Sequence, residues 1–122
     1  MVEVIAWGRS PVLTVDMVNP LPVTEDAAQY FTVAASQTAQ VLGATGATGD
    51  KLSIVTIIPA TTSPGAVTIL DNATSITLFA GGASSVVGLA PINVFLYAKS
   101  KSGAWKITTG ANVSVIATGT FT

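Results

Sequence analysis

Few side chains in this 122-residue sequence can do chemistry: six carboxylates, five bases, no histidine and no cysteine. The acids are Glu3, Asp16, Glu25, Asp26, Asp50 and Asp71, and the bases are Arg9, Lys51, Lys99, Lys101 and Lys106. Histidine is the usual general acid or base near neutral pH, and a serine nucleophile needs a partner base, for which only lysine or a carboxylate is at hand. Glycoside hydrolysis requires two carboxylates facing one sugar. Asp50 and Asp71 form a formal pair, but each adjoins a predicted turn, where aspartate ordinarily bonds its own backbone. A calcium site needs several convergent oxygens, and Glu25-Asp26 or Asp71-Asn72 supplies only two adjacent side chains. The expectation is a non-enzymatic protein with no catalytic residues, no metal ligands and no cofactor.

Binding chemistry is nearly as sparse. Trp7, Trp105, Tyr30 and Tyr97 are the aromatic residues with a polar handle, and Trp105 is the candidate ligand platform because Ser102-Gly103-Ala104 and Lys106 place it near a strand start. The competing reading puts Trp105 and Ile107 inside the core. The segment Ala44-Thr45-Gly46-Ala47-Thr48-Gly49-Asp50 repeats Ala-Thr-Gly. A phosphate-cradling loop would need a Gly-Lys-Ser/Thr ending and a following helix, whereas Asp50-Lys51 leads into a strand, so its expected role is geometric. Five bases are too few to neutralise a nucleic-acid backbone. No apolar run approaches the length of a membrane-spanning helix. The N-terminal stretch has neither a basic start nor an extended apolar region, so the chain is expected to be made in the cytoplasm without export. On that reading the sequons Asn72-Ala73-Thr74 and Asn112-Val113-Ser114 are chance matches.

The elements that must position these residues follow from composition. Only 9% of residues are charged while 49% are hydrophobic, the mean hydropathy is +0.63 and the net charge is -1. So weakly charged a surface favours association over a free monomer. Val, Ile and Thr dominate and favour pleated strands. Strands are expected over Tyr30 to Ala35, Ala39 to Gly43, Lys51 to Pro59, Ala66 to Leu70, Ser75 to Ala80, Ile92 to Ala98, Ala104 to Thr108 and Val113 to Thr118. Ser63-Pro64-Gly65, Asp71-Asn72, Gly81-Gly82, Ser102-Gly103 and Thr109-Gly110 mark turns between them. That spacing indicates an all-β antiparallel sandwich or jelly-roll-like domain over residues 24–122.

Strict alternation places Ile92, Val94 and Leu96 on one face, with Phe95 and Tyr97 on the other. It likewise sets Leu52, Ile54 and Ile58 against Val55 and Ile57. Both faces are apolar, which leaves two readings: coverage by the chain's own loops or N-terminal arm, or a subunit interface, for which Val55, Ile57, Phe95 and Tyr97 are the candidate residues. Residues 1–23 differ: Pro11, Pro20 and Pro22 interrupt any ladder, and Asn19-Pro20-Leu21-Pro22-Val23 reads as extended. This is an expected N-terminal arm whose Trp7, Leu13, Val15, Met17, Leu21 and Val23 are candidate contacts to another surface, by docking or by adding an edge strand to a neighbour; the competing reading packs the arm on its own domain.

From Gly49 onward the residues carry a family likeness. They include Ile58-Pro59-Ala60-Thr61-Thr62-Ser63-Pro64-Gly65-Ala66-Val67, Phe79-Ala80-Gly81-Gly82-Ala83-Ser84-Ser85 and Lys101-Ser102-Gly103-Ala104-Trp105-Lys106-Ile107-Thr108-Thr109-Gly110-Ala111-Asn112-Val113-Ser114-Val115. This wording resembles a β-domain of structural proteins of tailed bacteriophages, and Asn19-Pro20-Leu21-Pro22-Val23 resembles the arm preceding such domains. The resemblance implies a virion component on the outer surface of the capsid: a decoration or cement protein, or a head-fibre or spike module that binds host carbohydrate. The partners it implies are the major capsid protein and the chain itself, as a homotrimer. It transfers no site residues.

Overall fold

The computed structural model describes residues 28–122. The expected arm, with Trp7, Leu13, Val15, Met17, Leu21 and Val23, lies outside the described residues.

Eight strands form, and among the described residues there is no helix: β1 (Gln29–Val33), β2 (Gln40–Val41), β3 (Lys51–Pro59), β4 (Val67–Asp71), β5 (Thr74–Phe79), β6 (Ile92–Lys99), β7 (Trp105–Thr109) and β8 (Val113–Thr120). They make two four-stranded antiparallel sheets, ordered β1-β8-β3-β6 and β2-β7-β4-β5. The pairing is nested: β1 with β8, β2 with β7, β3 with β6 and β4 with β5. Only β4 and β5 are sequential neighbours in one sheet. They are joined by the two-residue turn Asn72-Ala73, in which Asn72 takes φ +58°. Every other turn signal in the sequence reverses the chain and also carries it across to the opposite sheet.

One core lies between the sheets. Val33, Leu52, Val55, Ile57, Val113, Val115 and Ala117 enter from the first sheet, and Val67, Ile69, Trp105 and Ile107 from the second, with Leu42 and Phe121 at its rim. The alternation buried, half-buried, buried along β4, β7 and β8 gives each of these strands one core face, as a period of two requires. Phe31 and Phe121 meet edge to face at 5.7 Å, near the end of β8 where it pairs with β1. The crossing from β1 to β2 is pinned by Thr109, whose Oγ1 donates to the Ala34 carbonyl at 2.6 Å and accepts from the Gln37 amide at 3.0 Å.

β3 departs from strict alternation. Leu52 pairs with Gly119 and Ile54 with Thr118, which leaves Ser53 as an extra residue against β8. This bulge shifts the phase, so Leu52, Val55, Ile57 and Pro59 all point inward, while Ile54, Thr56 and Ile58 are half-buried on the outer side. Val55 and Ile57 are therefore core residues, each 0% exposed, and not the outward oligomer surface expected from the sequence.

The bulge also brings the backbones close. A Cβ on Gly119 would overlap the Lys51 carbonyl oxygen and press on the Phe121 ring. Gly119→Ala is expected to cost about 1–3 kcal/mol in chemical unfolding. Gly88→Ala, where nothing stands within 4 Å, should stay within about 0.5 kcal/mol of the parent.

Candidate interaction surface

The outer face of the β1-β8-β3-β6 sheet carries three exposed aromatic side chains. Cross-strand register sets Tyr30, Thr118, Ile54 and Phe95 in one row, and Thr32, Ile116, Thr56 and Asn93 in the next. Tyr30, Phe95 and Tyr97 are 72%, 64% and 60% exposed. The Phe95 and Tyr97 rings lie parallel within 10° with centroids 6.4 Å apart, and the Lys51 ammonium stands 5.9 Å from the Tyr97 ring centre. Beside them the Thr56 hydroxyl is 2.8 Å from the Asn93 carboxamide oxygen. Phe95 and Tyr97 thus lie on an outward face, as alternation predicted.

Tyr97 is held there at a backbone cost. Between the pairs Leu52 to Ala98 and Ile54 to Phe95, Ser53 of β3 faces both Leu96 and Tyr97 of β6, and Tyr97 takes φ +48°. Left-handed backbone is unfavourable for a bulky residue, and bulges of this kind re-aim side chains at sheet edges.

Trp105 is elsewhere. It is 4% exposed, and its indole N–H donates to the Asp50 carbonyl at 2.9 Å. The sequence-based assignment of Trp105 as a ligand platform is corrected: it opens β7 on the inward phase, so its ring fills the core. The core reading of Trp105 and Ile107 is the one the structure shows.

The loop before β3 is also structural. The Asp50 carboxylate accepts from the Ala47 amide at 3.0 Å and from the amide and hydroxyl of Thr122 at 3.1 and 3.0 Å. Gly46, at φ +71°, lies so close to Ala104 that a side chain would collide with it. Asp71 accepts from the Lys101 and Ser102 amides at 2.8 and 3.0 Å. The Lys101 amide is the main cause that holds the Asp71 carboxyl below the ordinary range; desolvation opposes it, and the Ser102 and Gly103 amides add to it. Both carboxylates of the described residues are therefore committed to backbone. Among those residues no group of three or more His, Cys, Asp or Glu is close enough to hold a metal, and no helix is long and apolar enough to cross a membrane. Asn72 and Asn112, the two sequon asparagines, sit at φ +58° and +60°, a conformation that asparagine tolerates in turns.

An open depression lies at one end of the outer face, lined by Ala47, Thr48, Gly49, Asp50, Lys51, Lys99, Thr120 and Thr122. Lys51 and Lys99 are direct cross-strand partners, a placement that like charges disfavour. A second apolar region flanks the sheet edges. β5 and β6 each have a single strand neighbour, β5 exposes Ile76, and the connection between them exposes Val87 and Leu89.

Comparison of the chain with protein-family models, curated proteins and solved structures gives no match. The class that the geometry itself defines is a two-sheet antiparallel β protein whose exposed features are apolar faces and a lysine pair.

Two outcomes follow. Trp105→Ala should lower stability by about 3–5 kcal/mol in denaturant titrations, as expected for a core truncation. A carboxyl whose folded pKa is depressed stabilises the fold above its unfolded value, and that contribution is lost as pH falls through the folded value. Stability should therefore decline as pH drops below about 4, and Asp71→Asn should flatten this acid limb in unfolding midpoints measured across it.

Proposed function

We propose that the chain is a non-enzymatic structural protein of a tailed-phage particle, a decoration or cement protein on the outside of the head. The nested pairing of eight strands across two sheets carries the reading. It matches the strand order of a jelly roll, an architecture used by viral capsid and lectin domains. Fold alone does not give function, so the exposed groups carry the rest. Both described carboxylates serve the backbone, while large apolar side chains stand on the surface, as on proteins that work by contact. In this reading the arm bears on the major capsid protein or an adjacent subunit. The β5–β6 side, with Ile76, Val87 and Leu89, supports self-association, for which the sequence resemblance implies a trimer.

A second reading has its own observation. Parallel, exposed Phe95 and Tyr97 rings on the outward side of β6 suit stacking against sugar faces, so a fibre or spike module that binds host-surface carbohydrate is the alternative.

Deleting residues 1–23 should abolish binding to heads that lack the protein, read by co-sedimentation, while the β body keeps its unfolding midpoint. Undiminished binding by the truncated protein would refute the arm's role. Glycan binding that disappears with Tyr97→Ala would favour the second reading instead.

A further inference from the structure

We infer that the outward side of β6 is a binding site for acidic carbohydrate: the parallel Phe95 and Tyr97 rings take the apolar face of a pyranose, and the Lys51–Lys99 pair takes the carboxylate or sulfate that the sugar carries. This site rests on the carbohydrate reading of the sheet face and adds the class of sugar to it.

Charge sets the sign of the ligand. Lys51 and Lys99 are direct partners across β3 and β6, a register in which like charges are unfavourable. The side-chain carboxylates of the described residues are Asp50 and Asp71, and both are already engaged. Asp71 accepts from the Lys101 and Ser102 amides, and Asp50 is buried and accepts from Ala47 and Thr122. An anion between the two ammonium groups relieves their repulsion and gains charge-assisted hydrogen bonds. Both lysines line the open depression at this end of the sheet, beside the exposed Thr48 and Thr120, whose hydroxyls are further donors.

Continuity between that depression and the aromatic rings sets the shape of the ligand. The exposed residues of β6 are Asn93, Phe95, Tyr97 and Lys99, at every second position. One strand therefore presents an amide, two rings and an ammonium in a row. The rings lie parallel within 10° at 6.4 Å, and Lys51 joins them to the depression, its ammonium 5.9 Å from the centre of the Tyr97 ring. A small inorganic anion would use the lysines without the rings, and a neutral sugar the rings without the lysines. An acidic pyranoside uses both, because its C–H face packs on aromatic carbon while its charged substituent projects from the ring edge.

The backbone is strained to hold this arrangement. Tyr97 takes φ +48° inside the β3–β6 irregularity, a conformation that a bulky residue rarely adopts. Packing does not account for it, since Tyr97 is largely exposed, and strain of this kind collects at ligand clamps.

Calorimetric titration of the full-length protein at low ionic strength tests the site. Oligogalacturonate and sialyllactose are the carboxylate-bearing probes, a sulfated carrageenan fragment is the sulfate-bearing one, and oligogalactose and lactose are the neutral counterparts. At least one acidic probe should bind roughly tenfold more tightly than its neutral counterpart, and the arm in which it does so identifies the anion. Lys51→Gln with Lys99→Gln should remove that advantage, and Phe95→Ala with Tyr97→Ala should weaken the same probe several-fold. These are surface positions, so both double variants should unfold cooperatively; if one does not, Lys99→Gln or Phe95→Ala alone serves in its place. Equal binding of acidic and neutral sugars overturns the inference and leaves the carbohydrate reading standing, whereas no binding of any probe overturns both. An advantage that survives loss of the lysines also overturns it. So does polyglutamate that competes as well as the best sugar, which would assign the surface to an acidic peptide.

Discussion

One buried tryptophan ties the two sheets together. Trp105 belongs to the second sheet, yet its N–H reaches the carbonyl of Asp50 at the head of β3 in the first. That carbonyl also accepts from the Ser100 amide, while the Asp50 carboxylate gathers Ala47 and Thr122. The end of β6, the start of β3, the residues after β8 and the loop of repeated Ala-Thr-Gly thus meet at one residue. With no cysteine to staple it, the molecule keeps these buried polar groups paired, since leaving one unpaired costs about 1–3 kcal/mol. The remainder of the core is aliphatic apart from Phe121.

Much of the fold is legible in the sequence because its signals are local. β-branched runs and turn residues locate all eight strands, and Lys51–Pro59 appears residue for residue. Phe95 and Tyr97 lie on the outward face that alternation assigns them. What the sequence does not expose is the relation between distant segments. The inserted Ser53 reverses the phase of β3 and moves Val55 and Ile57 from an expected interface into the core, and a bulge shows only against its partner strands. Trp105 was ambiguous for the same reason: its neighbours in sequence mark a strand start, while its neighbours in space decide that it is buried. The two lysines of the candidate surface are 48 positions apart and meet only through the β3–β6 register.

The low charge density takes a specific form in three dimensions. Outward positions of β8 and β3 are largely Thr, Ser and Ile, half-buried by their neighbours. Threonine satisfies the pleat, offers a methyl group to adjacent side chains and keeps a hydroxyl for water, so a sheet face can be wet without being charged. Sharper features are confined to β6 and its borders: two parallel rings, a strained tyrosine and a lysine pair. β6 is an edge strand, and an edge offers unpaired backbone groups to whatever approaches.

The nested pairing also governs how the chain reaches this state. The first strand must find the last, Gln29 beside Gly119, and β2 must find β7, so nearly the whole described chain is enclosed before these ladders close. Contacts so distant in sequence meet their loop-closure entropy before any pairing repays it, which places such topologies among the slow folders. Only the β4–β5 hairpin is local enough to form early. Until the outer pairs arrive, strands as rich in Val and Ile as β3 and β8 present open edges to one another and to other copies. The rate at which the ends of the chain meet, more than the stability finally reached, then limits how much protein escapes aggregation.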